Sequence, residues 1–177
     1  MYVLKRKRSN IIQNWKAYWH CSFCGTAFID PEAPFPRICH HCRQVTYLNP
    51  RPVVVILVPV DDGVLLIKRA SSGDPGWALP GGYLEVGENW VAAGAREVKE
   101  EAGVIINPHH ITPFDVRSTQ KGEFLLIFGL AERISSEILS AFSPNREVLE
   151  RKIVSKPEEL AFPLHTEVLN RYFQVFS

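Results

Sequence analysis

The chain has 177 residues, of which 46% are hydrophobic and 22% charged, and its formal net charge is +1. This composition is typical of a globular protein and excludes a chain that is disordered throughout. The longest apolar run, residues 53–60, is too short to span a bilayer, and polar residues 9–16 stand where a signal peptide needs an apolar segment, so we expect a cytoplasmic protein without a membrane span.

Charge is unevenly distributed along the chain. Residues 1–50 carry seven Lys and Arg against two Asp and Glu, so they hold +5 and the remaining residues hold −4. We expect the two parts to have different roles. The first part divides further into an N-terminal segment at residues 1–19 and a small module at residues 20–50.

The N-terminal segment combines basic and aromatic side chains. Its apolar residues recur at three- and four-residue steps, which predicts one face of a helix. These residues are Ile11, Ile12, Trp15, Tyr18 and Trp19. We expect this face to pack against the main domain or a second subunit. The basic cluster Lys5–Arg8 is expected to be a solvated tail, with nucleic-acid binding as the alternative.

All four cysteines lie in the small module. They form two Cys-x2-Cys pairs separated by 14 residues, namely Cys21, Cys24, Cys39 and Cys42. This spacing is typical of a tetrahedral zinc site, and a module of about thirty residues buries too little apolar surface to fold without such a metal. The sequence therefore predicts a zinc ribbon over residues 20–50 with structural Zn²⁺, and the alternatives are two disulfides or four unrelated thiols. We expect His40 and His41 to be bystanders.

From residue 50 the pattern changes to β-strands. Residues 53–60 form a β-branched run that suits a strand buried on both faces, and Asp61–Gly63 predicts a turn into a strand at 64–69. Further predicted elements are a hairpin of residues 111–116 and 123–131, a strand at 152–155 and a helix at 164–173. Together they predict an α+β domain over residues 51–177.

A helix at residues 89–102 is predicted to carry the chemistry. It consists mostly of good helix formers, and Gly103 follows at the position of a C-cap. Glu97, Glu100 and Glu101 share one face of this helix because they are three and four residues apart. Such carboxylates are typical ligands of Mg²⁺ or Mn²⁺, which also bind phosphate oxygens. A solvated acidic face is the alternative.

The sequence from Gly82 to Val104 resembles the signature of the Nudix hydrolases. Gly82 is followed after five residues by Glu88 and after seven more by Arg96-Glu97-Val98-Lys99-Glu100-Glu101-Ala102-Gly103-Val104, which matches all nine fixed positions of the signature. The resemblance covers about residues 51–177. It implies a mixed-sheet α/β/α sandwich that hydrolyses a nucleoside diphosphate linked to another group.

The resemblance also implies the roles of individual residues. The metal ligands would be the Gly82 carbonyl, Glu97, Glu100 and Glu101. Glu88 and Arg96 would brace the loop and the helix through an ion pair. Catalytic roles are expected for Glu97 and Glu101, and the general base would be Glu97 or an acid from a later loop. Glu147 is the first candidate for that acid, and Glu150 is the alternative.

Aromatic and histidine residues near these motifs are further candidates. Trp77, Tyr83 and Phe114 could stack on an adenine or flavin ring, although each could instead belong to the core. Three histidines have no motif around them, and we expect ordinary structural or exposed roles for His109, His110 and His165.

The four-cysteine ribbon before this domain resembles the NADH pyrophosphatase group and its relatives. Residues 39–50, 82–88 and 159–162 look most like the ribbon-bearing enzymes that split FAD or ADP-ribose. The Ser-Gln-Pro-Trp-Pro-Phe-Pro-like motif of NADH pyrophosphatases has no counterpart between Asn107 and Gly122. We therefore expect hydrolysis of ADP-ribose or FAD. The family resemblance also implies a homodimer. Alternatives are NADH or NAD-capped RNA as substrate, a non-catalytic nucleotide sensor, and a nucleic-acid-binding module.

Overall fold

The computed structural model describes residues 18–70, 76–139 and 141–176. The predicted helix face at Ile11–Trp15 and the basic cluster before it lie outside the described residues. The chain divides into two compact units, Met1–Asn49 and Pro50–Ser177. In the part of the chain that the structure describes, neither helix combines the length and the hydropathy that a membrane span requires.

The smaller unit is built around an antiparallel hairpin. Strand β1 (Arg37–Ile38) pairs with β2 (Val45–Thr46), and Cys39 and Cys42 lie in the connecting turn. A bridge between His20 and Ala27 closes the turn that carries the other cysteine pair. The buried apolar residues here are Cys21, Phe28 and Cys39. So small a core agrees with the expectation that a metal contributes to folding of this unit.

The larger unit consists of strands and two α-helices. Its strands and α-helices are β3 (Arg51–Leu57), β4 (Pro59–Val60), β5 (Gly63–Arg69), β6 (Trp77–Ala78), β7 (Gly81–Tyr83), α1 (Trp90–Ala102), β8 (Thr112–Ser118), β9 (Phe124–Leu130), β10 (Val148–Val154) and α2 (Pro163–Phe176). Two short 3-10 helices lie at Pro108–His110 and Ser136–Ile138. One sheet has the order β7-β3-β9-β8, and it is mixed because only β3 and β9 are parallel. The other is antiparallel, with the order β10-β5-β4 and with β6 paired to β5.

The two helices cover two separate hydrophobic clusters. Successive side chains of a strand point to opposite faces of its sheet. Val54 and Ile56 of β3 accordingly pack in the cluster that contains the apolar residues of α1. Val55 and Leu57 pack in the cluster that contains those of α2. The strand is therefore buried on both faces, and the predicted α/β/α sandwich with a mixed sheet is confirmed.

Helix α1 begins one residue after its predicted start and ends at Ala102, as predicted. Asn89 is the N-cap, and its Oδ1 accepts a hydrogen bond of 2.9 Å from the Ala92 amide. Gly103 adopts a left-handed conformation with a φ of 68° and donates its N–H to the Lys99 carbonyl. A side chain at Gly94 would collide with Ile56, since an added Cβ would lie 2.5 Å from Ile56 Cδ1. This glycine lets the helix approach the sheet closely.

Several strand boundaries differ from the prediction. The run at residues 53–60 is split at Val58 between β3 and β4, which belong to different sheets. Strand β10 begins at Val148, so Glu150 lies in a strand and the prediction that it belongs to a loop is wrong. Leu149 and Ile153 of β10 are both exposed, so its sequence lacks the alternation that marks a half-buried strand. The sequence does not predict the short strands β6 and β7, which form because β5 and β3 supply partners.

Candidate active site

The glutamates of α1 differ in their exposure. Glu97 and Glu101 are one helical turn apart and both point inward, with 9% and 2% of their surface exposed. The side chain of Glu100 is 53% exposed and lies at the edge of this acidic group. Two carboxylates are thus buried side by side, which is costly unless a partner compensates their charge.

Glu101 is held between a backbone amide and a guanidinium group. The N–H of Gly81, in β7, donates to Glu101 Oε2 at 2.7 Å. Arg69 Nη1, at the end of β5, donates to Glu101 Oε1 at 3.4 Å. Burial nevertheless raises the pKa of Glu101 to about 7, and the negative charges of Glu97 and Glu147 add to the rise. This carboxylate therefore gains a proton at a higher pH than an exposed glutamate does.

Gly82 leaves the space that the Glu97 carboxylate occupies. A Cβ added at Gly82 would lie 2.4 to 2.7 Å from the carboxylate atoms of Glu97. Burial raises the pKa of Glu97, the Arg96 charge opposes the rise, and the charges of Glu100 and Glu147 increase it. The backbone of β7 and the Glu97 carboxylate are therefore in direct contact.

Arg96 connects the helix to the preceding loop. Its Nε and Nη2 donate to the two carboxylate oxygens of Glu88 at 2.8 and 3.0 Å. Its Nη1 donates to Glu97 at 2.7 Å and to Glu100 at 3.1 Å, and its Nη2 also reaches the Tyr83 carbonyl. The hydrogen bonds from Arg96 lower the pKa of Glu88. The ion pair expected between Glu88 and Arg96 is present, and it orients two glutamates of α1.

A cavity of about 710 Å³ lies against the buried carboxylates. Its acidic wall contains Glu97, Glu101 and Glu147 together with Gly82. Cationic and aromatic side chains line other parts of it, namely Arg69, Arg146, Tyr83, Phe124 and Phe162. The cavity therefore combines a cluster of carboxylates with groups of the opposite charge and with rings.

The two candidate acids outside α1 have different surroundings. Glu147 lines the cavity, and its charge raises the pKa values of Glu97 and Glu101. Its amide donates to Asn145 Oδ1 at 2.8 Å, and its carbonyl accepts from the Ala70 amide at 2.7 Å. Glu150 instead pairs with Lys68 Nζ at 2.9 Å and is not among the cavity residues. Of the two, Glu147 is the one with access to a bound ligand.

One of the three stacking candidates lines the cavity. Tyr83 does so with half of its surface exposed, and its ring lies 6.3 Å from that of Phe124. Trp77 lies under Lys152, whose Nζ is 4.3 Å from the ring centroid. Phe114 packs 6.5 Å from Tyr172 of α2. Trp77 and Phe114 are not among the cavity residues, so their rings are engaged elsewhere.

Sequence reasoning missed several cavity residues. Arg69, Phe162 and His165 line the cavity, although they lie outside the signature. His165 is the second residue of the helix predicted at 164–173, and no local sequence pattern indicates a functional role for it. His110 is exposed, as expected, with Nδ1 2.6 Å from Glu132 Oε2. The position of α2 against the sheet brings His165 to the cavity, and only the tertiary structure contains that information.

The four cysteines of the smaller unit converge on one point. The Sγ atoms of Cys21 and Cys42 are 3.6 Å apart, as are those of Cys24 and Cys39. All four lie within 4.8 Å of one another, and none forms a disulfide. A tetrahedral zinc ion with Zn–S bonds of about 2.3 Å would place its sulfur ligands about 3.8 Å apart. The cluster therefore fits Zn²⁺ with four thiolate ligands.

Comparison with known proteins identifies the family. The family model of the NUDIX domain matches residues 49–174. This chain belongs to the Nudix hydrolase family. A Nudix hydrolase structure from Nitrosomonas europaea is 29% identical to it, with a TM-score of 0.70 and coverage of 88% of this chain and 90% of that one.

Two further relatives carry more specific names. The NAD-capped RNA hydrolase NudC of Shigella dysenteriae is 26% identical over 113 residues, which are 63% of this chain and 44% of that protein. The chain thus spans less than half the length of the curated relatives that it matches. The structure of an ADP-ribose pyrophosphatase from Streptococcus suis has 23% identity and a TM-score of 0.53, covers 72% of this chain and 92% of its own, and shows the fold alone.

Proposed function

We propose that this protein hydrolyses the pyrophosphate bond of a nucleoside diphosphate derivative. ADP-ribose and FAD are the proposed substrates, and the products would be AMP and a phosphorylated leaving group. The proposal rests on one observation above all. Glu97, Glu101 and Glu147 come from two different parts of the chain and line one cavity beside Gly82.

Three of the proposed ligands of a divalent cation line this cavity, and the fourth, Glu100, lies outside it. Burial raises the pKa values of Glu97 and Glu101, so that a cation would relieve the cost of two buried charges. The proposed ligands are Glu97, Glu100, Glu101 and the carbonyl of Gly82. When bound there, Mg²⁺ or Mn²⁺ would neutralise phosphate oxygens and lower the pKa of a water molecule. Arg96 would keep Glu97 and Glu100 in position through the hydrogen bonds described above.

Glu147 is the proposed general base. It lines the cavity from a segment outside the signature. Because it is exposed to solvent, its carboxylate can accept a proton from an attacking water. Arg69 and Arg146 line the same cavity and would complement the charge of the substrate phosphates. Positioning and charge stabilisation would therefore supply most of the catalysis.

The size and lining of the cavity favour a small dinucleotide-like substrate. Its volume of about 710 Å³ lies within the usual range for small-molecule sites. Tyr83 offers an exposed ring at the cavity, on which an adenine or flavin could stack. The signature carboxylates are all present, which argues against a non-catalytic sensor.

NADH or NAD-capped RNA is the second candidate substrate. The similarity to NudC supports it, because that relative is named as an NAD-capped RNA hydrolase. The absence of a Ser-Gln-Pro-Trp-Pro-Phe-Pro-like motif between Asn107 and Gly122 argues against it. We therefore rank it below ADP-ribose and FAD.

A turnover assay tests the proposal. ADP-ribose, FAD, NADH and NAD-capped RNA are compared with Mg²⁺ and with Mn²⁺, and released AMP or other monophosphate is measured by chromatography. Glu97→Gln and Glu101→Gln should each lower turnover by about 100-fold or more, because each removes a charge that holds the metal. Glu132→Gln is the control, since Glu132 is an exposed glutamate outside the cavity. Unchanged hydrolysis in both cavity variants would contradict the metal site.

We also propose the organisation of the whole protein. A zinc ribbon over residues 20–50 would precede a Nudix domain over residues 51–177, in a cytoplasmic homodimer. The fit of four thiolates to zinc supports the ribbon, and the family resemblance supports the dimer. Sedimentation equilibrium gives the oligomeric state directly, and a monomer at all concentrations would contradict the dimer.

A further inference from the structure

The N-terminal end of α2 forms part of the cavity wall. Phe162 and the first helical residues, Pro163, Leu164 and His165, all line the cavity. The Phe162 carbonyl accepts from the amides of His165 and Thr166 at 2.9 and 3.1 Å, which closes the first turn. The positive end of the dipole of this 14-residue helix is therefore directed at the cavity.

His165 is a buried polar side chain with an unsatisfied nitrogen. Only 6% of its surface is exposed, and its ring lies 5.7 Å from that of Phe128 and 5.0 Å from that of Phe162. Its Nδ1 is buried and has no hydrogen-bond partner among the described residues. Because Nδ1 has almost no exposed surface, a ligand in the cavity would reach this ring through its other nitrogen, Nε2.

The surroundings of His165 determine which group it can offer. Burial, together with the charge of Arg69, lowers the pKa of His165 to about 4, so the ring is neutral near pH 7. A neutral imidazole carries one proton, and an orphaned N–H is rarer in proteins than an orphaned acceptor. The buried Nδ1 is therefore expected to be the unprotonated nitrogen. The other nitrogen, Nε2, then carries a hydrogen that can be donated to a ligand.

Arg69 supplies positive charge that acts on both His165 and Glu101. Its guanidinium lies 3.4 Å from Glu101 Oε1, and its charge acts on His165. Arg69 also lines the cavity. A guanidinium, an imidazole N–H and the positive end of a helix dipole all favour an anion, and phosphate oxygens are the acceptors that suit this combination.

We propose that His165, Arg69 and the N-terminus of α2 form a subsite for the phosphate of the leaving group. This inference rests on the proposed function and adds to it a positioning residue from outside the signature. One phosphate of the substrate would lie at the glutamates of α1, and the other would accept hydrogen bonds from His165 and Arg69. The subsite would hold the departing phosphate while the bond to it breaks.

Binding of a phosphomonoester that cannot be hydrolysed tests this subsite. Full-length protein with ¹⁵N-labelled histidine is titrated with ribose 5-phosphate, inorganic phosphate or ribose in the presence of Mg²⁺, and the imidazole signals are followed by NMR. Both phosphate ligands should shift the His165 signals, whereas ribose should not. His165→Gln should weaken binding of ribose 5-phosphate by about 10- to 100-fold, since it removes a hydrogen bond to a charged group.

His110→Gln is the matched control, because His110 is exposed and lies outside the cavity residues. It should leave binding unchanged. Equal shifts with ribose and with ribose 5-phosphate, or His165 signals that no ligand moves, would overturn the subsite. The titration of the wild-type protein decides this even if His165→Gln fails to fold. The NMR titration can contradict the subsite while Glu97→Gln still lowers turnover. In that case the proposed function stands and only the subsite is rejected.

Discussion

At the scale of single residues, the site depends on how closely backbone and carboxylates approach each other. Gly82 provides the space for Glu97, and the Gly81 amide binds Glu101 directly. These contacts place the two carboxylates against β7 without any intervening side chain. A small change at this strand should therefore alter catalysis more than stability.

Gly82→Ala tests this close approach. The added Cβ would overlap the Glu97 carboxylate and displace it, and a displacement of about 1 Å can lower turnover by about 100-fold. The fold should survive, because the carboxylate is the flexible end of its side chain. The measurement is kcat together with the thermal unfolding midpoint. In the control Gly122→Ala no atom lies within 4 Å of the added Cβ, so turnover should be unchanged. The φ of 68° at Gly122 strains an alanine, so this control should lower the unfolding midpoint without lowering kcat.

His165 should make stability depend on pH. Its pKa falls from 6.5 in the unfolded chain to about 4 in the fold, so the unfolded chain binds more protons between these values. The neutral ring makes its full contribution to the free energy of unfolding above pH 6.5. As the pH falls towards 4, the free energy of unfolding decreases by about 3 kcal/mol on account of this residue. The raised pKa of Glu101 acts in the opposite direction, since it costs stability as the pH rises towards 7.

Urea unfolding of wild type and His165→Phe between pH 4 and 7 isolates the histidine. The variant should lose less stability than the wild type as the pH falls, because it lacks the group that the unfolded chain protonates. Parallel pH profiles for the two proteins would show that His165 is not neutral in the fold.

At the scale of elements, α1 is the part of the site with the strongest local signals. Its ends are set by an N-cap and a left-handed glycine, and its inward face carries both buried glutamates. Since Glu97 and Glu101 lie in the last two turns of the helix, the cap at Asn89 stabilises the element without touching the cavity. Stability and catalysis can therefore be changed separately here.

Asn89→Ala should destabilise the larger unit by about 1 kcal/mol, because the Ala92 amide loses its acceptor. Asn89→Ser retains a capping oxygen and should remain close to the wild type. The free energies of unfolding come from urea titration of the three proteins. A loss of equal size in both variants would mean that the cap is not the cause.

Local signals also explain which elements could be predicted from the sequence. Helix α1 and the hairpin of β8 and β9 are confirmed because caps, turns and apolar runs lie within each segment. Of the run at residues 53–60, only β4 pairs with β5. Strands β6 and β7 contain two or three residues, and only their partners β5 and β3 make them strands. The signature residues of the site could be found because they lie close together in the sequence. His165 and Arg69 could not, since tertiary packing brings them to the cavity.

At the scale of the whole molecule, two units with different sources of stability share one chain. The larger unit has two hydrophobic clusters, one under each helix. The smaller unit has few buried apolar residues, two of which are cysteines of the metal cluster. Its folding should therefore depend on metal, while the larger unit should not.

Removal of zinc should affect the two units differently. We expect one zinc ion per chain by elemental analysis, and chelation should unfold the region around residues 20–45 first. Hydrogen exchange of that region should rise strongly, whereas α1 and β3 should stay protected. Carefully purified protein that contains no zinc and still shows a folded ribbon would contradict the prediction.

The cysteine cluster should also make the protein sensitive to oxidation once zinc is lost. Hydrogen bonds with Thr26 lower the pKa of Cys24 to about 6, so without metal this thiol is largely a reactive thiolate at neutral pH. A partner sulfur lies only 3.6 Å away in Cys39. Loss of zinc in air should thus be followed by oxidation, which prevents metal from returning. Zinc alone would then not restore the ribbon, and a reductant would have to be added before it.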